Sequence, residues 1–396
     1  MTERTNLFTP EIRNNPYPSY AALRAGSPAQ EVEPGGLWAV SRHEDVLSVL
    51  KNPEVFSSSA FEALFNPPWL PVNPVGKSMI AKDGPAHGRL RALVSRAFTE
   101  RSIARLEPRI RAIAAELAER LRGAGEADFV EAFAVPMPAR VIAEIIGIDP
   151  ALYRNFKRWS ADIASITPVP PPEEVAAGIR ATMAEMDGYL REVTAARRQA
   201  PRDDTVSDLI RAEIDGQTLS DDDIVAFLGL LLPAGFETTA HLMANLMVAI
   251  LDRPGDFARV REDRALIPRF VEELLRHDPP IHGIMRMAMA DAEIGGVKVP
   301  KGSMMLLLLS SATRDEARFP DAERFDLGRQ AEGGLSFGHG IHHCLGAPLA
   351  RLETRIALEE LAKRFVGFER ASGMVPYVMS IMVRGPVALP VRAILA

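Results

Sequence analysis

Cysteine is nearly absent from this chain: Cys344 is the single one among 396 residues. A lone thiol cannot close an internal disulfide, and it cannot hold a cysteine-ligated cluster. A basic excess is absent too. The net charge is -6, which argues against a nucleic-acid binder, whose footprint is a surplus of Lys and Arg. Aromatic residues make up only 6%, so the core must be built from Leu, Ala, Val, Ile and Met. No run approaches the roughly 18 uninterrupted apolar residues of a membrane span. The opening Met1-Thr-Glu-Arg-Thr-Asn lacks a basic-then-apolar signal pattern. These absences point to a cytoplasmic protein with no membrane anchor and no nucleic-acid partner. Gly/Ser-rich linkers and charge blocks are lacking as well, so residues 1–396 are expected to form a single domain.

Helical periodicity dominates what is present. Residues 88–98, 101–122 and 136–146 carry apolar side chains at three- and four-residue spacing, with Gly123 a plausible stop for the second. Proline clusters at 66–74 and 168–172 mark loops, the first long and apolar in the manner of a lid or binding loop. Ser220-Asp-Asp-Asp223 reads as a capping box. The helix it opens should run to about residue 251 and, being apolar nearly all round, should cross the core. A short strand is expected at 37–41 and a short helix at 45–50. Further strands are expected at 294–299, 304–309, 375–382 and 388–391. The fold class is therefore mainly α, with minor sheet toward the C-terminal half and no strand–helix alternation.

Cys344 lies in the densest glycine-histidine stretch of the chain, Phe337-Gly-His-Gly-Ile-His-His-Cys-Leu-Gly346. Three chemistries compete for it. His339, His342, His343 and Cys344 could form a zinc or copper cluster, but adjacent residues rarely converge on one ion. Gly334-Leu-Ser336-Phe-Gly338 matches a nucleophile elbow, which requires a helix straight after the serine; Phe-Gly-His-Gly cannot start one. The third is a haem thiolate. Cys344 immediately precedes a helix start at Gly346-Ala-Pro-Leu, and helix N-termini favour anions and lower thiol pKa. The glycines permit a tight turn with backbone close to something flat.

The pattern Phe337-Gly338-x-Gly340-x-His342-x-Cys344-x-Gly346 resembles the haem-binding signature of the cytochrome P450 superfamily, and other blocks of that family follow in order along most of the chain. The resemblance implies a helix-rich single domain holding haem b between a long central helix and the cysteine loop, with Cys344 as the iron ligand. It implies that Phe337 packs near the sulfur, that Gly338 and Gly346 shape the loop, and that His342 binds a haem propionate. His339 and His343 occupy variable positions. In the long helix, Ala234-Gly235-Phe236-Glu237-Thr238 resembles the family's oxygen-groove block. Gly235 would let the helix approach the haem, and Glu237 with Thr238 would relay protons. Pro233 departs from the family pattern. It removes an amide donor and clashes with the carbonyl of Gly229, which predicts a bend or a widened groove.

By the same resemblance His87, Arg91 and Arg286 are further propionate partners. Glu273 and Arg276 join a downstream arginine, placed at Arg324, in a structural network. The substrate contacts fall in the 61–80 loop and at Phe236, Ile281, Ile284, Met285, Met379 and Ile381, which together imply a bulky apolar substrate. His282, the one polar oddity there, is read as structural. With no flavin or iron–sulfur motif, electrons must come from a separate ferredoxin and its reductase. Arg89, Arg91, Arg96, Arg351 and Arg355 are candidates to steer that acidic partner. The resulting expectation is a monomeric monooxygenase that hydroxylates or epoxidises a hydrophobic small molecule with O2. A peroxide-driven oxygenase and a non-catalytic haem sensor or carrier remain as alternatives.

Overall fold

A computed structural model describes residues 4–33, 35–147, 152–330, 333–371 and 373–395, apart from the side chains of residues 60, 61, 63, 153 and 154. Part of the expected 61–80 binding loop therefore lies outside the described side chains. The chain forms two compact units. One comprises Met1–Phe56, Pro108–Met137 and Thr238–Ala396; the other comprises Ser57–Glu107 and Pro138–Glu237.

The first unit is built on a mixed sheet whose central strand is Met304–Leu307. It pairs in parallel with Leu37–Val40, Met304 opposite Leu37, and antiparallel with Ile284–Ala288, Met304 opposite Met287. Ala29–Val32 adds to the outer side of Leu37–Val40. Side chains alternate across a strand, and the run 304–309 shows why it is apolar throughout. Met305, Leu307 and Leu309 enter one buried cluster, while Leu306 and Leu308 enter another on the opposite face. Two of the five strands of this sheet come from the first 40 residues, so sheet is not confined to the C-terminal half as the sequence pattern suggests. The expected strand at 294–299 is a hairpin of Ala292–Ile294 and Val297–Val299.

The expected strand at 375–382 does not form. Ser380 Oγ accepts the amides of Met382 and Val383 at 3.1 and 3.2 Å, which turns the chain. The backbone then closes on itself, Val378 N donating to Gly385 O at 3.0 Å and Val387 N to Pro376 O at 2.9 Å. The turn borders residues 280–283, since His282 N donates to Met382 O and Arg384 N to Pro280 O, both at 2.8 Å.

The second unit is mainly helical, including Gly84–Ala97, Glu173–Gln199 and the start of the central helix, with a small hairpin of Glu213–Ile214 and Gln217–Thr218. Gly84–Ala97 begins before residue 88 because Pro85 occupies its first turn, where a missing N–H leaves no bond unmade. The helix Glu100–Ala124 runs past Gly123; the left-handed residue that ends it is Gly125, at φ +72°. The proline-rich loop 66–74 is pinned rather than loose. Asn73 Nδ2 donates to Phe65 O at 2.7 Å and Trp69 Nε1 to Thr167 O at 3.0 Å.

The central helix runs unbroken from Asp221 to Asp252. By length and composition it could span a membrane, but more than half of its most apolar window is buried in the protein. Ser220 caps it reciprocally with Asp223, each accepting the other's amide at 3.1 Å.

Candidate active site

The cysteine loop belongs to the first unit. Two glycines in the left-handed region, Gly338 at φ +69° and Gly340 at φ +73°, turn it twice. A side chain at Gly340 would strike the backbone, its Cβ falling 2.5 Å from Leu50 O. Cys344 N donates to Phe337 O at 3.0 Å, which closes the loop. Gly346 then caps the helix Ala347–Arg364, with Pro348 in the first turn. The Cys344 thiol is exposed, just ahead of a helix N-terminus that favours its anion. A Cβ at Gly346 would lie 3.9 Å from the sulfur, so that glycine keeps the space beside Sγ open.

One helical turn further on, Arg351 pairs with Glu272 at 2.6 and 3.1 Å and stacks over Phe337, its Cζ 4.5 Å from the ring centroid. This clamp on Phe337 carried no signal in the loop motif. His342 is half-buried, and His339 and His343 are exposed. Among the described residues no group of three His, Cys, Asp or Glu side chains is placed to hold a metal ion. Ser336 Oγ donates to Leu275 O at 2.6 Å and is followed by turn, not helix, so the nucleophile-elbow reading has no structural basis.

Glu273 and Arg276 are both buried to 1% and form the expected pair, bridging at two points of 2.8 Å each. The third cation is not Arg324. That side chain is exposed, and what Arg324 brings is its carbonyl, which accepts from Arg276 Nη2 at 3.0 Å. Arg329 fills the place, Nε donating to Glu273 Oε1 at 3.3 Å. The reason is the turn at 321–329. Arg276 collects the carbonyls of Thr313, Ala322 and Arg324, and Arg329 those of Pro320, Asp321 and Arg324, so the loop folds its backbone around both guanidinium groups. This network fixes the segment that leads into the cysteine loop.

Arg286 lies on strand Ile284–Ala288, buried to 7%, with Nη1 donating to Met285 O at 2.7 Å. Of the expected substrate residues on this unit, Ile281 and Ile284 pack against one apolar cluster and Met285 and Ile381 against the other. Met379 departs from this group: it is 62% exposed on the 376–387 turn. His282 is structural. It is buried between the rings of Tyr17 and Tyr20, and burial pushes its pKa down to about 4.

In the second unit the central helix changes pitch where Pro233 falls. Leu232–Glu237 is π-helical between α-helical segments. Proline cannot donate to Gly229, and the wider turn absorbs the lost bond; such bulges concentrate at functional sites. This change of pitch falls where the sequence predicts a bend or a widened groove. Ala234 is exposed in the middle of this helix, and Glu237 and Thr238 are half-buried. Ser160 Oγ donates to Glu237 Oε2 at 3.2 Å, a partner the local sequence did not disclose. Phe236 is buried. Gly235 has a packing role, because a Cβ there would fall 2.6 Å from Ile142 Cδ1. Gly229 similarly admits Pro74, which seats the proline-rich loop on the helix.

His87 and Arg91 lie one turn apart on Gly84–Ala97. His87 is buried to 3%, and its pKa is lowered by burial and by the Arg91 charge, with Asp83 opposing. Arg89, a candidate for partner docking, pairs with Asp223 at 3.2 Å and remains 41% exposed.

The donor set fits haem b. In the first unit an exposed thiol at a helix start would hold the iron, and Arg286 and His342 could meet a carboxylate; in the second unit His87 and Arg91 offer groups of the same kind.

Comparisons with known proteins agree. The family model described as Cytochrome P450 matches residues 36–368. Cyclomarin C epoxidase CymV of Salinispora arenicola is 40% identical, over 89% of this chain and 89% of its own length. Vitamin D(3) 25-hydroxylase of Pseudonocardia autotrophica is 36% identical, over 98% and 96%. The structure of cytochrome P450 CYP109Q5 from Chondromyces apiculatus superposes with a TM-score of 0.92 at 41% identity, covering 100% of both chains. With this match over most of its length, and with a thiol loop and a widened central helix of the kind described, the chain belongs to the cytochrome P450 family and is a haem b monooxygenase.

Proposed function

We propose that this monooxygenase hydroxylates or epoxidises a bulky apolar small molecule, taking its electrons from a separate ferredoxin and ferredoxin reductase. In this reading Cys344 is the iron ligand, and Phe337, Gly338, His342 and Gly346 shape its loop. Arg286, His87 and Arg91 join His342 in holding the propionates. Bound haem supplies the activation of dioxygen. The chain's own part is to deliver protons to a site kept dry.

The observation that carries the reading is the hydrogen bond from Ser160 to Glu237, immediately before Thr238 in the widened turn. Ser160 holds one oxygen of the carboxyl, which restricts the rotamers of Glu237 next to the Thr238 hydroxyl, so that the pair can pass protons through water. A peroxide-driven oxygenase has no need of such a pair, because peroxide already carries the protons and electrons; a haem sensor needs none either.

The apolar substrate class rests on Phe236, Ile281, Ile284, Met285 and Ile381, and on the substrate named for the vitamin D(3) hydroxylase. We further take the two units as one domain, since the chain passes between them at 56/57, 107/108, 137/138 and 237/238. The protein is taken to be a cytoplasmic monomer. Spin-state titration against terpenoids, steroids, fatty acids and macrolides tests the substrate class. Turnover of a hit with NADH and a surrogate ferredoxin then tests the reaction. Product that forms with peroxide alone and not with NADH and ferredoxin would favour the peroxide-driven alternative.

A further inference from the structure

A small, partly open cavity in the first unit is lined by buried donors that lack acceptors. Its volume is about 10 Å³, and Arg13, Tyr20, His282, Ser380 and Arg384 supply its polar wall. Arg13 and Arg384 are buried, with 8% and 7% of their surface exposed. Arg13 Nε and Nη1 and Arg384 Nε are buried N–H groups with no hydrogen-bond acceptor among the described residues. Arg384 otherwise donates to the backbone carbonyls of Arg13 at 2.8 Å and Asn14 at 2.9 Å, and both arginines line the cavity.

The charges are unequal. Arg384 Nε has a carboxylate within reach, Asp278 Oδ1 at 3.8 Å. Arg13 forms no ion pair among the described residues; its guanidinium lies 5.6 Å from the ring centroid of Phe8. A buried cation with orphaned donors and no counter-charge is costly, and proteins resolve such a site with a partner. The cavity's volume suits a single water or a monatomic ion. A water would accept from the guanidinium groups but would bring two protons of its own. Of the side-chain acceptors nearby, Ser380 Oγ takes two amides and the Tyr20 hydroxyl pairs with His282 Nδ1 at 3.4 Å, while His282 Nε2 has no partner among the described residues. A halide accepts every N–H, brings no proton and supplies the missing charge.

We propose that Arg13 and Arg384 bind a single buried halide, with chloride the natural occupant. The ion ties the N-terminal helix Pro10–Asn14 to the turn at 376–387. That turn borders residues 280–283 through His282 N to Met382 O and Arg384 N to Pro280 O, so occupancy braces the segment carrying Ile281 and Ile284.

The test uses the intact holoprotein. Sodium chloride is titrated against sodium gluconate at constant ionic strength while Tm is followed. The expected result is a saturable rise of roughly 2–4 °C in chloride and in bromide. Crystals soaked in bromide should show one anomalous peak in contact with Arg13 and Arg384. Arg13→Met should remove the halide dependence, the methionine replacing the unpaired cation. Equal Tm in both salts overturns the proposal, as does a water at the site in bromide-soaked crystals. A bromide peak without a saturable effect in solution would mean an adventitious ion only, and would overturn it too. Should Arg13→Met fail to fold, the wild-type titration and the bromide map decide the matter by themselves.

Discussion

Ser160 Oγ donates to Glu237 Oε2 at 3.2 Å, linking the helix Tyr153–Ala164 to the acid of the widened central turn. The bond gives Glu237 a defined orientation directly before Thr238. A single hydrogen bond of this type is worth about 1 kcal/mol, or about fivefold in a rate that depends on it. Ser160→Ala should therefore lower the fraction of electrons recovered in product by a few-fold and raise peroxide release, with haem content and substrate-induced spin shift unchanged. Thr238→Ala should do the same more severely. Product, peroxide and NADH consumption measured together check both; unchanged coupling in either variant removes that residue from proton delivery.

Arg329, not Arg324, completes the network with Glu273 and Arg276. Removing one member of a buried charge network costs roughly 3–5 kcal/mol, whereas an exposed side chain costs within about 0.5 kcal/mol. Arg329→Met should sharply lower the urea midpoint of the holoprotein, and Arg324→Ala should leave it nearly unchanged. The reverse ranking would restore Arg324 to the role.

Much of this is legible in sequence, and the failures share a cause. The central helix and the cysteine loop are local patterns: a capping box at Ser220, a proline at the widened turn, glycines where φ must be positive. Choosing between Arg324 and Arg329 depends on how the 321–329 turn points its side chains, and no short-range pattern encodes that. Ser160 lies 77 residues from Glu237, with nothing to pair them. The stretch 375–382 has strand-like composition, yet one hydroxyl, that of Ser380, turns it. Leu37–Val40 is visible as a strand, but its pairing with Met304–Leu307 is a long-range choice made by burial on both faces.

Glu353 sits on the helix that follows Cys344, buried to 1%, and Oε2 has no hydrogen-bond partner among the described residues. Burial pushes its pKa up to about 8. A carboxyl whose folded pKa is raised favours the folded state below its unfolded pKa, and that contribution is lost as pH rises through the folded value. Wild-type Tm should therefore fall, relative to Glu353→Gln, across the window from the ordinary carboxylate range to about pH 8. Parallel pH profiles for the two proteins would contradict the protonated assignment.

Arg351 both stacks on Phe337 and pairs with Glu272 beside the thiol loop, while Arg89 is engaged with Asp223. An acidic electron donor docking near Cys344 would meet Arg351 on the helix that follows the thiol loop, and Arg89, equally exposed and also paired, serves as the comparison. Arg351→Glu should slow reduction by a surrogate ferredoxin several-fold and flatten its dependence on salt, whereas Arg89→Gln should change neither. Stopped-flow reduction across a salt series checks this, and equal behaviour of the two variants would place the docking surface elsewhere.

The thiolate assignment is tested most directly by the spectrum of the reduced, carbon-monoxide-bound protein. Wild type should show the red-shifted Soret band that sulfur ligation produces, and Cys344→Ser, loaded with haem to the same extent, should lose it. A wild-type protein replete with haem that lacks the band, or a Cys344→Ser variant that keeps it, would contradict Cys344 as the iron ligand.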